Sequence, residues 1–297
     1  MNSSPRHIAI VAPSGYASDR EAYTRAVKHF IDLGHHVHDF SSANARFQRF
    51  AATDAERVAQ LHAAANHPDV ELVIAVRGGY GLSRLLPTID FPLLAKSGKR
   101  FIGHSDFTAL HMGLLTQQAV SYAGPMICDD FSRVDMSDFT HSYFWQAVSH
   151  DHFDVTVKTA SNPVITCEGR LWGGNLAMLT HLLGTPWMPH IKQGILFVED
   201  VNEHPYRIER MMLQLLHAGV LHEQQAIILG DFSAYKLTDY DNGYDFEAML
   251  DYLRQVIQVP ILTGLPFGHV RDKLTLPVGA DCHLESTGEE FVLQLSV

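Results

Sequence analysis

The chain has 297 residues, 46% hydrophobic and 19% charged, which is enough apolar material for one large or two modest domains. Its formal net charge of -11 argues against a nucleic-acid or anionic-membrane partner. No stretch approaches the roughly 20 apolar residues of a membrane helix. The apolar run from Ile8 to Ala12 is too short for a secretory leader, so the expected compartment is the cytoplasm.

Short apolar runs alternate with segments of helical period through about the first 125 residues, the pattern of a mostly parallel sheet with helices on its faces. Residues 7–12 form the first expected strand, and 19–33 a helix closed by Gly34. A second strand is expected at 36–40. A second helix follows at 52–66, with Thr53 as its cap and Val58, Leu61 and Ala65 on one stripe. Residues 71–76 read as a buried strand that ends in Arg77-Gly78-Gly79-Tyr80-Gly81. Residues 100–104 read as another, continued by a helix over 107–118.

The texture changes at 151–167, where an alternating run is broken by Ser161-Asn162-Pro163, and this reads as a passage between domains. The expected organisation is an N-terminal α/β domain over 1–150 and a smaller C-terminal α/β domain over 168–297. In the second domain helices are expected at 176–183, 206–218 and 246–256, with strands at 194–199, 226–230 and 260–263. A β-ribbon is expected at 273–277 and 290–296.

Several residues could carry chemistry. Ser105, in Gly103-His104-Ser105-Asp106-Phe107, sits where a strand meets a helix, facing the usual ligand site of open α/β sheets. A serine on such a turn can act as a nucleophile, with the N–H groups that follow stabilising an oxyanion, or it can simply cap the helix. Phe107 replaces the second glycine of the G-x-S-x-G elbow. The Gly78-Gly79 loop could equally be an oxyanion-hole loop, a phosphate cradle or a tight turn, and it matches no nucleotide-binding fingerprint. Glu199 and Asp200 end a strand, with Glu203 and His204 close behind, and could orient a histidine, be surface acids or start the next helix. Among 19 histidines the base stays ambiguous. His269 stands in a short loop after a strand, whereas His104 points to the face opposite Ser105.

Three separated cysteines, Cys128, Cys167 and Cys282, form neither a disulfide framework nor a zinc motif. His36 and His38 share one strand face beside His35, without an identifiable third ligand, so polar residues on a half-exposed strand are expected there rather than a metal site.

Taken together, the segments Ala12-Pro13-Ser14-Gly15-Tyr16, Val76-Arg77-Gly78-Gly79-Tyr80-Gly81, Gly103-His104-Ser105-Asp106-Phe107-Thr108, Trp172-Gly173-Gly174-Asn175-Leu176, Glu199-Asp200-Val201-Asn202-Glu203 and Phe267-Gly268-His269 resemble the LD-carboxypeptidase family of serine peptidases (muramoyltetrapeptide carboxypeptidases). The resemblance spans nearly the whole chain. It implies a flavodoxin-like N-terminal domain carrying the nucleophile and a second α/β domain carrying the acid and base. It further implies a Ser105–His269–Glu199 triad, an oxyanion hole at the Gly79 and Asp106 N–H groups, and no cofactor. The implied substrate is a murein tetrapeptide, free or sugar- or UDP-linked, and the implied assembly a homodimer. Arg77 is the candidate for the substrate's free carboxylate, with Tyr80 and Asn175 as further contacts. The alternatives are a related amide hydrolase acting on peptide–nucleotide antibiotics, or a non-catalytic flavodoxin-like ligand-binding module.

Overall fold

A computed structural model describes residues 4–41 and 45–297, and it contains two sheets flanked by helices. The first sheet is built from β1 (His7–Val11), β2 (His36–Asp39), β3 (Leu72–Ala75), β4 (Arg100–Gly103) and β5 (Ser121–Ala123). These five run parallel in the spatial order β2-β1-β3-β4-β5, which is the flavodoxin-like order. The central β3 is buried along its whole length, as a strand covered on both faces must be.

Local chemistry places the crossover helices. Asp19 accepts from Ala22 N at the start of α1 (Arg20–Asp32), and Ala22, Tyr23, Ala26 and Phe30 supply its buried stripe. Thr53 and Glu56 form a reciprocal capping box at the start of α2 (Asp54–Asn66). The short α3 (Leu82–Leu85) and α4 (Phe91–Lys96) precede β4, and α5 (Thr108–Leu115) follows it. Then comes α6 (Asp138–Ser149), capped by Ser137.

Residues 151–167 do not run as a connection. They contain β6 (His152–Lys158) and the start of β7 (Ile165–Asn175), both members of the second sheet. That sheet continues with α7 (Leu176–Leu182), β8 (Gly194–Val201), α8 (Pro205–His217), β9 (Gln224–Ser233), α9 (Phe246–Val256) and β10 (Ile261–Thr263). Its order is β10-β9-β8-β7-β12-β13-β6, where β12 is Asp281–Ser286 and β13 is Glu290–Ser296. The β7–β10 half is parallel, and the β12, β13 and β6 half is antiparallel. The long β7 serves both halves. Its first part pairs with β12 and its last part, Leu171 to Asn175, with β8.

One strand crosses between the sheets. β11 (Leu276–Val278) comes from the C-terminal half of the chain, yet it pairs antiparallel with β5 and completes the first sheet. The segment 264–275 therefore starts at β10 in one sheet and ends at β11 in the other. Among the described residues no helix is long and apolar enough to cross a membrane.

Candidate active site

Ser105 lies immediately beyond β4, in a single 3₁₀ turn (Ser105–Phe107) that feeds α5. Its φ of +62° is left-handed, a conformation that costs a non-glycine residue about 1–2 kcal/mol and persists only when its surroundings hold it. The Phe107 N–H donates to His104 O at 3.2 Å and the Thr108 N–H to the Ser105 carbonyl, so the N–H groups that Ser105 could have capped are taken by backbone. Space for the side chain comes from Gly78: a Cβ on that residue would lie 2.8 Å from Ser105 Cβ and 2.9 Å from Oγ.

Asp106 anchors the turn. Its buried Oδ2 accepts from Ser14 Oγ at 2.6 Å and from Leu82 N at 2.9 Å, which ties together the loops after β1, β3 and β4. Burial pushes this carboxyl's pKa up, against the pull of those two donors. Among the described residues neither Gly79 N–H nor Asp106 N–H has an acceptor in the protein, and Gly79 has φ +108°.

Glu199 is fully buried near the end of β8. Its Oε2 lies 2.8 Å from His269 Nδ1, so the proton of the neutral imidazole is assigned to Nδ1 and Nε2 is left as the acceptor. Burial lowers the pKa of His269, but the hydrogen bond and charge of Glu199 outweigh it. The net result lies above the ordinary 6.5, with Lys273 opposing. Gly268 lets the loop pass close to the acid: it has φ +146°, and a Cβ there would come within 3.3 Å of Glu199 Oε2. No hydrogen bond joins Ser105 to His269 in this structure. Such bonds commonly tighten only when substrate is bound.

Asn175 sits behind the acid, 6% exposed. Its Nδ2 donates to Glu199 Oε1 at 3.1 Å and to Asp200 Oδ1 at 3.0 Å, and its Oδ1 accepts from Met178 N. Its backbone N–H donates to Thr108 Oγ1 on α5, joining the two halves of the chain. The amide expected at the substrate is thus committed to protein partners. Asp200 is raised to about 6 by burial and the adjacent Glu199 charge. Arg77 is half-buried, and its buried Nε has no hydrogen-bond partner; Tyr80 is 42% exposed at the rim. The cysteines are unsuited to nucleophilic work, since burial pushes the Cys128 and Cys282 thiols up to about 12.

A buried cluster that the sequence did not reveal lies directly behind His269. Lys273 Nζ pairs with Asp130 Oδ1 at 2.7 Å and contacts His104 Nε2 at 3.3 Å, with all three residues at most 3% exposed. The His104 ring meets that of His269 edge to face at 5.0 Å. Asp130 is held down to about 2: burial alone would raise it, but His104 and Lys273 outweigh burial. Burial and the Lys273 charge keep His104 below its ordinary value, against the pull of Asp130. The pair fastens the loop carrying His269 to the first sheet's side of the junction. Replacing Lys273 with methionine strands a buried carboxylate, and urea unfolding is expected to show a loss of about 3–5 kcal/mol. Lys273→Met combined with Asp130→Asn removes both charges and should recover part of that loss. A single variant within ~1 kcal/mol of the parent would contradict the buried pairing.

Serine hydrolases of the α/β type place a nucleophile at a strand-to-helix turn. Here Ser105 occupies such a turn after β4 of the first sheet, while Glu199 and His269 come from the end of β8 and the loop after β10 of the second. Residues 8–124 match the LD-carboxypeptidase N-terminal domain, and residues 168–284 the LD-carboxypeptidase C-terminal domain. The crystal structure of muramoyltetrapeptide carboxypeptidase from Oxalobacter formigenes is 52% identical with a TM-score of 0.94, covering 98% of this chain and 99% of that one. The murein tetrapeptide carboxypeptidase of Pseudomonas aeruginosa is 32% identical over 297 residues, covering 94% of this chain and 92% of that protein. The Microcin C7 self-immunity protein MccF of Escherichia coli is 27% identical over 260 residues, covering 77% and 75%. The chain belongs to the LD-carboxypeptidase family, and it is an enzyme of the serine-peptidase type.

Proposed function

We propose that the enzyme releases the terminal D-alanine from murein tetrapeptides by cleaving the L,D bond, through an acyl-enzyme formed on Ser105. The observation that carries the chemistry is the 2.8 Å pairing of His269 with the buried Glu199 beside the strained serine turn. The substrate is supported by the likeness to the muramoyltetrapeptide carboxypeptidase from Oxalobacter formigenes and the murein tetrapeptide carboxypeptidase of Pseudomonas aeruginosa.

In this reading His269 Nε2 takes the Ser105 proton as Oγ attacks the scissile carbonyl, and Glu199 stabilises the imidazolium. The Gly79 and Asp106 N–H groups receive the oxyanion. His269 then protonates the departing amine of D-alanine. Water, activated by the same histidine, hydrolyses the ester and restores Ser105. Arg77 is assigned to the substrate's free carboxylate. Residues 1–150, carrying the nucleophile, and 168–297, carrying acid and base, are the functional halves. We also propose a cytoplasmic homodimer acting in cell-wall recycling, as the family resemblance implies; light scattering on the purified protein checks the assembly.

The likeness to the self-immunity protein favours a second reading, hydrolysis of an amide in a peptide–nucleotide conjugate. Purified enzyme offered murein tetrapeptide and such a conjugate separately decides between them. D-alanine release from the tetrapeptide at the higher kcat/KM is expected, and cleavage of the conjugate alone would overturn the proposal.

A further inference from the structure

Beside the serine turn, the loops that follow β1, β2 and β3 bring together a set of arginines and aromatic rings that the proposed chemistry leaves unused. Arg46 lies over the Tyr16 ring at 4.7 Å to the centroid, and Arg49 over the Tyr80 ring at 5.7 Å. Both arginines are exposed, and among the described residues neither has a carboxylate within 4.0 Å, in a chain whose formal net charge is -11. The neighbouring Arg57 and Arg84 differ: both pair with Asp54, and both pack on the buried Phe50 at 4.6 and 4.8 Å. Phe50 thus acts as the root of the loop. It bridges back to Gly15 and to Phe47, while Ala51 N donates to Ser14 O at 3.2 Å. The root is fixed, and Arg46 and Arg49 stand outward from it.

The position of these stacks connects them to the reaction. Tyr80 follows Gly79, and Tyr16 follows Gly15, whose N–H reaches Gly78 O at 3.4 Å. Gly78 in turn packs against Ser105. Each stack therefore begins no more than two residues, about 7 Å of extended chain, from the backbone that lines the nucleophile. The loops also lie beyond the carboxyl ends of β1 and β3, the switch point of a sheet in this order, where ligands bind. A guanidinium stacked on a ring loses less freedom on binding and still presents its N–H edge to a carboxylate or phosphate.

We propose that Arg46 and Arg49, carried on Tyr16 and Tyr80, form a subsite for an anionic group on the part of the substrate that precedes the scissile bond. The inference rests on the peptidase reading above. Two sources share this chemistry: the carboxylates of the peptide upstream of its diaminopimelyl residue, and the diphosphate of a UDP-linked muramoyl tetrapeptide.

The test compares wild type with Arg46→Ala/Arg49→Ala on three substrates: diaminopimelyl-D-alanine, free murein tetrapeptide and UDP-linked muramoyl tetrapeptide. The quantity read is the preference for each long substrate, its kcat/KM divided by that for the dipeptide. The double variant should lose that preference by about tenfold, through KM rather than kcat, and the loss should shrink as salt rises. An equal loss on both long substrates identifies peptide carboxylates, and a loss on the UDP-linked one alone identifies the diphosphate. An unchanged preference, or a fall in kcat on all three substrates together, overturns the subsite. Wild type inactive on every substrate overturns the peptidase reading itself, which separates the two failures.

Discussion

Replacing Ser105 with alanine is expected to lower kcat for D-alanine release by about 10⁴-fold or more while KM changes little. The reason is local: backbone carbonyls already accept the Phe107 and Thr108 N–H groups, so loss of the hydroxyl leaves the 3₁₀ turn and its Asp106 anchor in place. Reaction with a fluorophosphonate should disappear in the same variant. Ser105→Gly tests the strain separately. It is equally inactive, but it relieves a left-handed φ of +62° and should be up to ~1 kcal/mol more stable to urea than Ser105→Ala. Turnover by Ser105→Ala within tenfold of the parent would refute the assignment of the nucleophile.

Exchanging Glu199 for glutamine should cost about 10³–10⁴-fold in kcat and also move the pH profile. His269 must be neutral to accept a proton, so kcat/KM of the parent rises with pH through a value above the ordinary 6.5. Glu199 causes that upward displacement, opposed by burial and by Lys273. Removing its charge lets the pKa fall, so the acidic limb should shift to lower pH even as the plateau drops. The other groups facing His269 are Asp200, Asp231 and His104. Asp200 is raised to about 6 and titrates near the same region, so the limb reports the coupled set. A profile that keeps its acidic limb while losing rate would show that Glu199 acts on geometry alone. The same pairing has a consequence for folding. A histidine with a raised pKa in the folded state stabilises below its unfolded value, and that contribution fades as pH climbs through the folded one.

The parts of this fold that were readable are those where local chemistry and burial agree. The capping box at Thr53 and Glu56, the Gly34 stop and the fully buried 72–75 run each carry their signal within a few residues. The helix at 138–149 escaped because Thr140, His141, Ser142, Tyr143, Phe144 and Trp145 are indifferent helix formers, and packing of Phe144, Ala147 and Val148 decides the matter. The segment 151–167 read as a linker because Ser161-Asn162-Pro163 interrupts it, yet strands on both sides are claimed by neighbours far along the chain. For the site, Ser105, Glu199 and His269 stood out only through the combination of motifs. The Asp130–Lys273–His104 cluster had no signal at all, since a buried ion pair between distant residues leaves no periodicity or spacing to read.

The strand at 276–278 has a consequence in the time domain of synthesis. The first sheet presents Ser121–Ala123 as an unfilled edge until its closing partner emerges roughly 150 residues later, on the order of 10 s at ordinary elongation rates. During that interval the nascent N-terminal half carries an unpaired β-edge, the kind of surface that recruits chaperones or pairs with another chain. Fragments ending near residue 150 inherit the same defect permanently. The enzyme is therefore expected to become competent in one late step, when a single C-terminal strand seals the early sheet and carries the 264–275 segment, His269 included, across to it.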